Sequence, residues 1–144
     1  MRTSVLADTG AILALLDHDD RWHKACSDAF AYLPLPLVTC DAVLTELFYL
    51  AKNRSRELES AWNFITSGVL TIAAITDADL LAISTLMRRY RDRPMDFADA
   101  TLVHLAERDS LNTVFTVDVA DFQTYRLSRN KRFRILPGPL PQRY

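Results

Sequence analysis

Five carboxylates in this chain sit where their neighbours make them conspicuous: Asp8, Glu46, Asp96, Asp99 and Asp118. Asp8 ends the apolar run Val5-Leu6-Ala7, and Asp118 ends a second run, Thr113 to Val117. Glu46 interrupts Ala42 to Ala51, a segment otherwise almost entirely apolar. A charge buried there is costly unless it is paired or ligates a cation. Asp96 and Asp99 fall on neighbouring positions at the start of a helical pattern. Each also has an ordinary explanation. Asp8 and Asp96 are good helix N-caps, Asp99 suits the positive end of a helix dipole, and Glu46 can face solvent or pair with Lys52 or an arginine. Gathered in one place, they need something more. Two carboxylates 4 Å apart repel by about 4 kcal/mol at an effective dielectric near 20, so a cluster requires protons or metal ions. Oxygen-only ligands with no Cys or His favour Mg²⁺ or Mn²⁺ over zinc.

The elements around these residues decide whether they meet. Val5 to Ala7 does not alternate with polar residues and reads as a strand buried on both faces. Thr9 to Leu16 then reads as helix, which makes the first half of a βα unit. Asp17 to Asp20 is a polar break that lacks the fixed ligands, Gly and distal Glu of a calcium loop. His18 and His23 are read as surface residues there. A helix is expected from Arg21 to about Tyr32, ended by Pro34 and Pro36. Leu37 to Cys40 is the second strand, with Asp41 as the expected N-cap of the helix carrying Glu46. Glu57 to Thr66 is amphipathic, with Leu58, Ala61, Trp62 and Ile65 assigned to the core, and Gly68 suits a helix C-terminus. Val69 to Ile75 is the third strand. Thr76 or Asp77 caps a helix to about Arg91, with Leu80, Leu81, Ile83, Ser84 and Met87 on its inner side. A helix from Asp96 carries Asp99 and a structural His104, and Thr113 to Val117 is the fourth strand. Asp121 reads as a turn or cap residue. Phe133 and Ile135 suggest a short edge strand, followed by a stiff Pro-rich tail.

Strands separated by helices imply an α/β fold with a mainly parallel sheet. In such sheets the crevice lies beyond the carboxyl ends of the strands. Asp8 and Asp118 would then share a rim with Thr9 and Thr116, and the helix carrying Asp96 and Asp99 would open onto it. The chain of 144 residues, 49% hydrophobic and 24% charged, is most simply one soluble domain, residues 1–144. Its net charge of −1 argues against a generally basic nucleic-acid binder. Local basic groups remain: Arg88, Arg89, Arg91 and Arg93, then Arg126, Arg129, Lys131, Arg132 and Arg134. Either group reads as a solvated face complementing a helix dipole or as phosphate contacts. Cys26 and Cys40 form no CxxC pair and are expected as reduced core residues. With no signal-peptide pattern and no apolar run long enough to span a bilayer, a cytoplasmic protein with no membrane partner is expected.

The ordered set Leu6-Ala7-Asp8-Thr9-Gly10-Ala11, Thr45-Glu46-Leu47, Met95-Asp96-Phe97-Ala98-Asp99-Ala100 and Thr116-Val117-Asp118 with Asp121-Phe122 resembles the PIN-domain family. The likeness is to its VapC-type toxins of bacterial toxin–antitoxin pairs. It implies a PIN-like three-layer α/β/α fold and a Mg²⁺- or Mn²⁺-dependent endoribonuclease. It places catalytic and metal roles on Asp8, Glu46, Asp99 and Asp118, adds Asp96 to the metal set, and makes Thr9 and Thr116 supports. The expected reaction is hydrolysis of an RNA phosphodiester by metal-activated water, with the two basic groups holding the backbone. A VapB-like antitoxin and a homodimer are the implied partners, the antitoxin laying an amphipathic segment in an apolar groove. The alternative is a non-catalytic PIN-like module that binds RNA or protein. A Mg²⁺-dependent phosphatase fits less well, since such sites want a second Asp two residues after the first, where this chain has Gly10.

Overall fold

The computed structural model describes residues 3–140. Its strands are β1 (Leu6–Ala7), β2 (Leu37–Thr39), β3 (Leu70–Ile72), β4 (Thr113–Thr116), β5 (Arg126–Leu127), β6 (Lys131–Arg132) and β7 (Arg134–Pro137). Between them run α1 (Thr9–Leu16), α2 (His23–Phe30), α3 (Asp41–Ala51), α4 (Ser55–Thr66), α5 (Asp77–Arg89), α6 (Phe97–Arg108) and α7 (Val119–Thr124). Five strands make one sheet in the order β3-β2-β1-β4-β7, every pair parallel and flanked by helices. β5 and β6 form a separate antiparallel hairpin. The expected α/β class and parallel sheet are both present.

The strand order fixes where a site can form. From β1 the chain steps outward to β2 and β3, then returns to the other side of β1 as β4. The helices diverge at that reversal and leave a crevice beyond the carboxyl ends of β1 and β4. Asp8 directly follows β1, and Asp118 follows β4 after Val117. The backbone N–H of Asp8 donates to the Phe115 carbonyl at 3.0 Å, so the ladder between the two strands extends to the rim itself. Both strands are buried throughout, which accounts for their lack of charged residues. Helix α6 is buried without a break from Ala98 to Val103, as its nearly continuous apolar sequence demands.

Gly10 shows how tightly the rim is assembled. A Cβ there would stand 2.5 Å from Cγ2 of Val117, so the first turn of α1 can approach the end of β4 only without a side chain. Gly68 follows α4 with φ +89°, the left-handed C-terminal position expected of it. Cys26 and Cys40 are free and buried.

Several expectations need correcting. Asp41 does not cap α3. Cys40 is the last extended residue, with φ −142° and ψ 166°, so Asp41 is already helical and exposed. The third strand stops at Ile72 because it lies at the sheet edge and pairs only with the three residues of β2. Helix α2 begins at His23, whose Nδ1 lies 2.7 Å from the Ala14 carbonyl, so this half-buried ring is a packing residue. Trp62, Leu80, Leu81 and Met87, expected on inward faces, are exposed. Helix α5 carries two apolar stripes, and the one that packs runs through Asp79, Ile83 and Leu86, one residue round from Leu80 and Met87. In α4 it is Ala61 that is buried, and neighbouring Trp62 turns outward to stack on Phe48 at 4.7 Å. Among the described residues, no helix is long and apolar enough to cross a membrane.

Candidate functional site

Asp8 meets the rim by capping and by convergence at once. It is the N-cap of α1, its Oδ1 accepting from the Thr9 N–H at 2.8 Å. Its Oδ2 accepts from the Thr116 hydroxyl at 2.9 Å. Thr116 Oγ1 in turn accepts from the Asp118 N–H at 3.0 Å, so one buried threonine orients the carboxylate after β1 and the backbone after β4.

Asp96 and Asp99 arrive from the N-terminus of α6. Asp96 is the N-cap and accepts from the Asp99 N–H at 2.7 Å. This frees the Asp99 carboxylate to turn inward, where Oδ2 accepts from the Tyr125 hydroxyl at 2.9 Å. Tyr125 is fully buried, with Tyr90 and Phe122 edge-on at 5.1 and 5.3 Å. Sequence reasoning did not single it out, since a tyrosine just beyond α7 carries no pattern that marks it. Carboxylate oxygens of Asp8, Asp99 and Asp118 all lie within 4.8 Å of one another. Capping and clustering are therefore compatible here.

Glu46 stands apart from that trio but is linked to it. Its Oε2 accepts from the Thr9 hydroxyl at 2.9 Å, and the same hydroxyl lies 3.4 Å from the Val43 carbonyl. The charge in mid-α3 is thus half-buried and hydrogen-bonded to the residue beside Asp8. Asp121 also belongs to this neighbourhood, paired with Arg93 at 3.1 Å.

The basic residues separate into distinct settings. Arg93 is engaged by Asp121, and the Arg126 guanidinium folds back onto the carbonyls of Gln123, Thr124 and Tyr125. Arg88 reaches Ser84, while Arg91 and Arg132 are exposed. Arg89 and Arg129 meet in a cleft of about 700 Å³ between α5, α6 and the β5–β6 hairpin, and Lys131 lines the neighbouring one. Arg129 and Asn130 at the hairpin tip have φ of +61° and +59°. His104 is structural, as expected. Its Nε2 lies 2.7 Å from Asp79, which also accepts from Arg108 and closes a capping box with Thr76.

Burial and mutual repulsion dominate the electrostatics. Asp8 is pushed up from 3.8 to about 8 by burial first, then by the Asp99 and Asp118 charges, against the hydrogen bonds from Thr116 and Thr9. Asp99 is raised to about 7 by burial and by Asp96, and Asp118 is raised by burial and Asp121. Ionising Asp8 and Asp99 together near neutrality is therefore disfavoured, and a cation beside them would relieve it. The donor set is oxygen only, and the hydroxyls of Thr116 and Tyr125 each hold one of its carboxylates in place. That is a fit for a hard divalent ion.

Ribonuclease VapC26 of Mycobacterium tuberculosis is 29% identical over 136 residues, covering 92% of this chain and 100% of that protein. The crystal structure of Mycobacterium tuberculosis VapC20, described as a sarcin–ricin-loop-cleaving toxin, superposes with a TM-score of 0.72 at 23% identity, covering 82% of this chain and 94% of that one. A toxin–antitoxin complex from Klebsiella pneumoniae gives 0.65 at 19% identity, covering 84% and 92%. Residues 5–133 match the family model described as the PIN domain, and the chain therefore belongs to the PIN-domain family.

Proposed function

We propose that this protein is a Mg²⁺- or Mn²⁺-dependent endoribonuclease, the toxin of a VapBC-type pair, with residues 1–144 forming a single PIN domain that acts in the cytoplasm. One observation carries the reading: three carboxylates from three separate elements converge within 4.8 Å, Asp8 and Asp99 buried and Asp118 open to solvent, so that a cation could reach the group from outside. The similarity to a ribonuclease along nearly the whole chain supports the choice of RNA as substrate. A non-catalytic module would have no use for such mutual repulsion.

Asp8, Asp99 and Asp118 would hold the ion, with Asp96 and Glu46 completing the acidic wall. When bound, the ion supplies a water of lowered pKa and neutralises charge on the phosphodiester. The remaining work belongs to the chain. Thr116 fixes the Asp8 carboxylate, Tyr125 fixes Asp99, and Thr9 fixes Glu46, so the oxygens are aimed before substrate arrives. Glu46 keeps Oε1 outside its bond to Thr9 and is positioned to accept a proton at that oxygen. Arg89, Arg129 and Lys131 offer cations to the RNA backbone, while Arg126 and Arg93 act chiefly by shaping the hairpin and balancing Asp121. Arg88, Arg91 and Arg132 are peripheral members of the same basic flank.

The neighbour solved as a toxin–antitoxin complex supports a VapB-like antitoxin as partner. Exposed Tyr49, Leu50 and Trp62 on α3 and α4, and Leu80, Leu81 and Met87 on α5, supply the apolar surface that an antitoxin segment and a second copy of the chain would need. The decisive experiment is RNA cleavage by wild type with and without EDTA, compared with Asp8→Asn and Asp99→Asn. Cleavage should require the metal and fall at least about a hundredfold in either variant. Undiminished cleavage by both would reject the site.

A further inference from the structure

We propose that the cleft beside the carboxylates is a base-stacking subsite, in which Trp22 and Arg21 take a nucleobase of single-stranded RNA next to the phosphodiester at Asp118. The inference rests on the ribonuclease reading and deepens it by naming the residues that take a base beside the reacting phosphodiester.

The cleft measures about 390 Å³ and is lined by Arg21, Trp22, Asp118, Asp121, Pro139 and Leu140 among others. It is thus continuous with the metal-binding carboxylates through Asp118. Its walls differ in chemistry. Asp118 and Asp121 are acidic and can face a phosphate only through a cation. Trp22 brings an indole with the Arg21 guanidinium 5.9 Å from its ring centroid, and Pro139 and Leu140 add apolar surface. Arg21 is exposed and forms no ion pair among the described residues. Trp22 is anchored rather than loose. Its backbone N–H donates to Asp20 Oδ1 at 2.8 Å, its backbone carbonyl accepts from the Cys26 N–H at 2.9 Å, and its half-buried side chain packs against the core while also lining the cleft. A held aromatic face loses little freedom when a base stacks on it.

A nucleotide spanning the cleft satisfies both walls at once, its phosphate towards the carboxylates and its base on Trp22. Every base has a π-face, so the contact selects unpaired from paired RNA rather than one base from another. Bases in a duplex are already stacked on each other.

The test uses Trp62→Phe in a Glu46→Gln background, which leaves Trp22 as the remaining one of the two tryptophans, suppresses cleavage and keeps the three carboxylates that would hold the ion. Its fluorescence is titrated, in Mg²⁺, with an oligouridine dodecamer and with an abasic ribose-phosphate chain of the same length. Oligouridine should quench the emission and bind about tenfold more tightly than the abasic chain. In the same Glu46→Gln background, anisotropy of labelled chains should show the difference vanish in Trp22→Ala and largely survive in Trp22→Phe. The latter keeps the test valid should the alanine variant fold poorly. Equal binding of both chains without quenching would overturn the subsite and leave the ribonuclease reading standing. No binding of RNA by either form would overturn both.

Discussion

Removing divalent ions should make this protein less stable as the pH rises from 5 to 7, and Asp8 sets the size of the effect. Asp8 ionises near 3.8 in the unfolded chain and at about 8 in the fold. An acid whose folded pKa is raised stabilises fully below its unfolded value, and that stability is lost as the pH climbs towards the folded one. Between pH 5 and 7 the unfolded chain has released this proton and the folded chain has kept it. Each pH unit then removes about 1.4 kcal/mol, or about 3 kcal/mol across the window, from Asp8 alone. Asp99, at about 7 in the fold, adds to the loss. Asp79 acts in the opposite sense, since His104 and then Thr76 and Arg108 hold its carboxyl far below the usual range. Its stabilisation fails only as the pH falls below about 4, outside this window. A change of about 3 kcal/mol is a large part of the 5–15 kcal/mol typical of a small domain.

Urea unfolding in EDTA at pH 5, 6 and 7 measures the slope, and Asp8→Asn isolates its source. In that variant the amide oxygen can still accept from the Thr9 N–H, and the amide nitrogen can donate to Thr116 Oγ1, so the local frame survives. The slope should fall by about 1.4 kcal/mol per pH unit in Asp8→Asn. Saturating Mn²⁺ should flatten the wild-type curve, because an ion that binds only the ionised native pocket stabilises it by mass action. Wild-type stability that stays constant or rises from pH 5 to 7 in EDTA would refute the reasoning. An unchanged slope in Asp8→Asn would refute it equally.

Four further outcomes follow from the same geometry. Tyr125→Phe removes the donor to Asp99 Oδ2 and should weaken Mn²⁺ binding by roughly tenfold in calorimetry, where unchanged affinity would deny it a supporting role. Gly10→Ala drives a Cβ against Val117 and should cost about 1–3 kcal/mol, most of it recovered when Val117→Ala is added in a double-mutant cycle. Asp79→Asn should weaken the acid-side loss of stability seen in fluorescence-monitored titration, because the strongly lowered carboxyl is gone. Arg89→Glu with Arg129→Glu should weaken RNA binding and make its salt dependence shallower by about 1–2 in log–log slope, measured by anisotropy against exposed Arg56→Glu on α4 as a control.

What could be read from the chain and what could not divide along a physical line. Asp8, Asp96 and Asp99 were visible because a strand handing over to a capped helix is written in adjacent residues, and the parallel sheet then brings those junctions to one rim. Periodicity shows that a helix has an apolar stripe but not which neighbour will cover it. With two stripes on α5, the choice of Ile83 and Leu86 over Leu80 and Met87 is made by the fit against α6. Tyr125 is hidden for a related reason. Its hydroxyl reaches Asp99 only because α7 is short and turns the chain back under α6, a matter of three-dimensional register between residues 26 apart. Arg89 and Arg129 likewise belong to separate basic runs and share a cleft only through the β5–β6 hairpin, which the run of cations concealed. The groups that carry charge in this site were thus marked by local sequence, whereas the neutral groups that aim them, apart from the adjacent Thr9 and Thr116, were set by packing. Losing a ligand should therefore abolish metal binding outright, and losing one of the packed supports should loosen it by degrees.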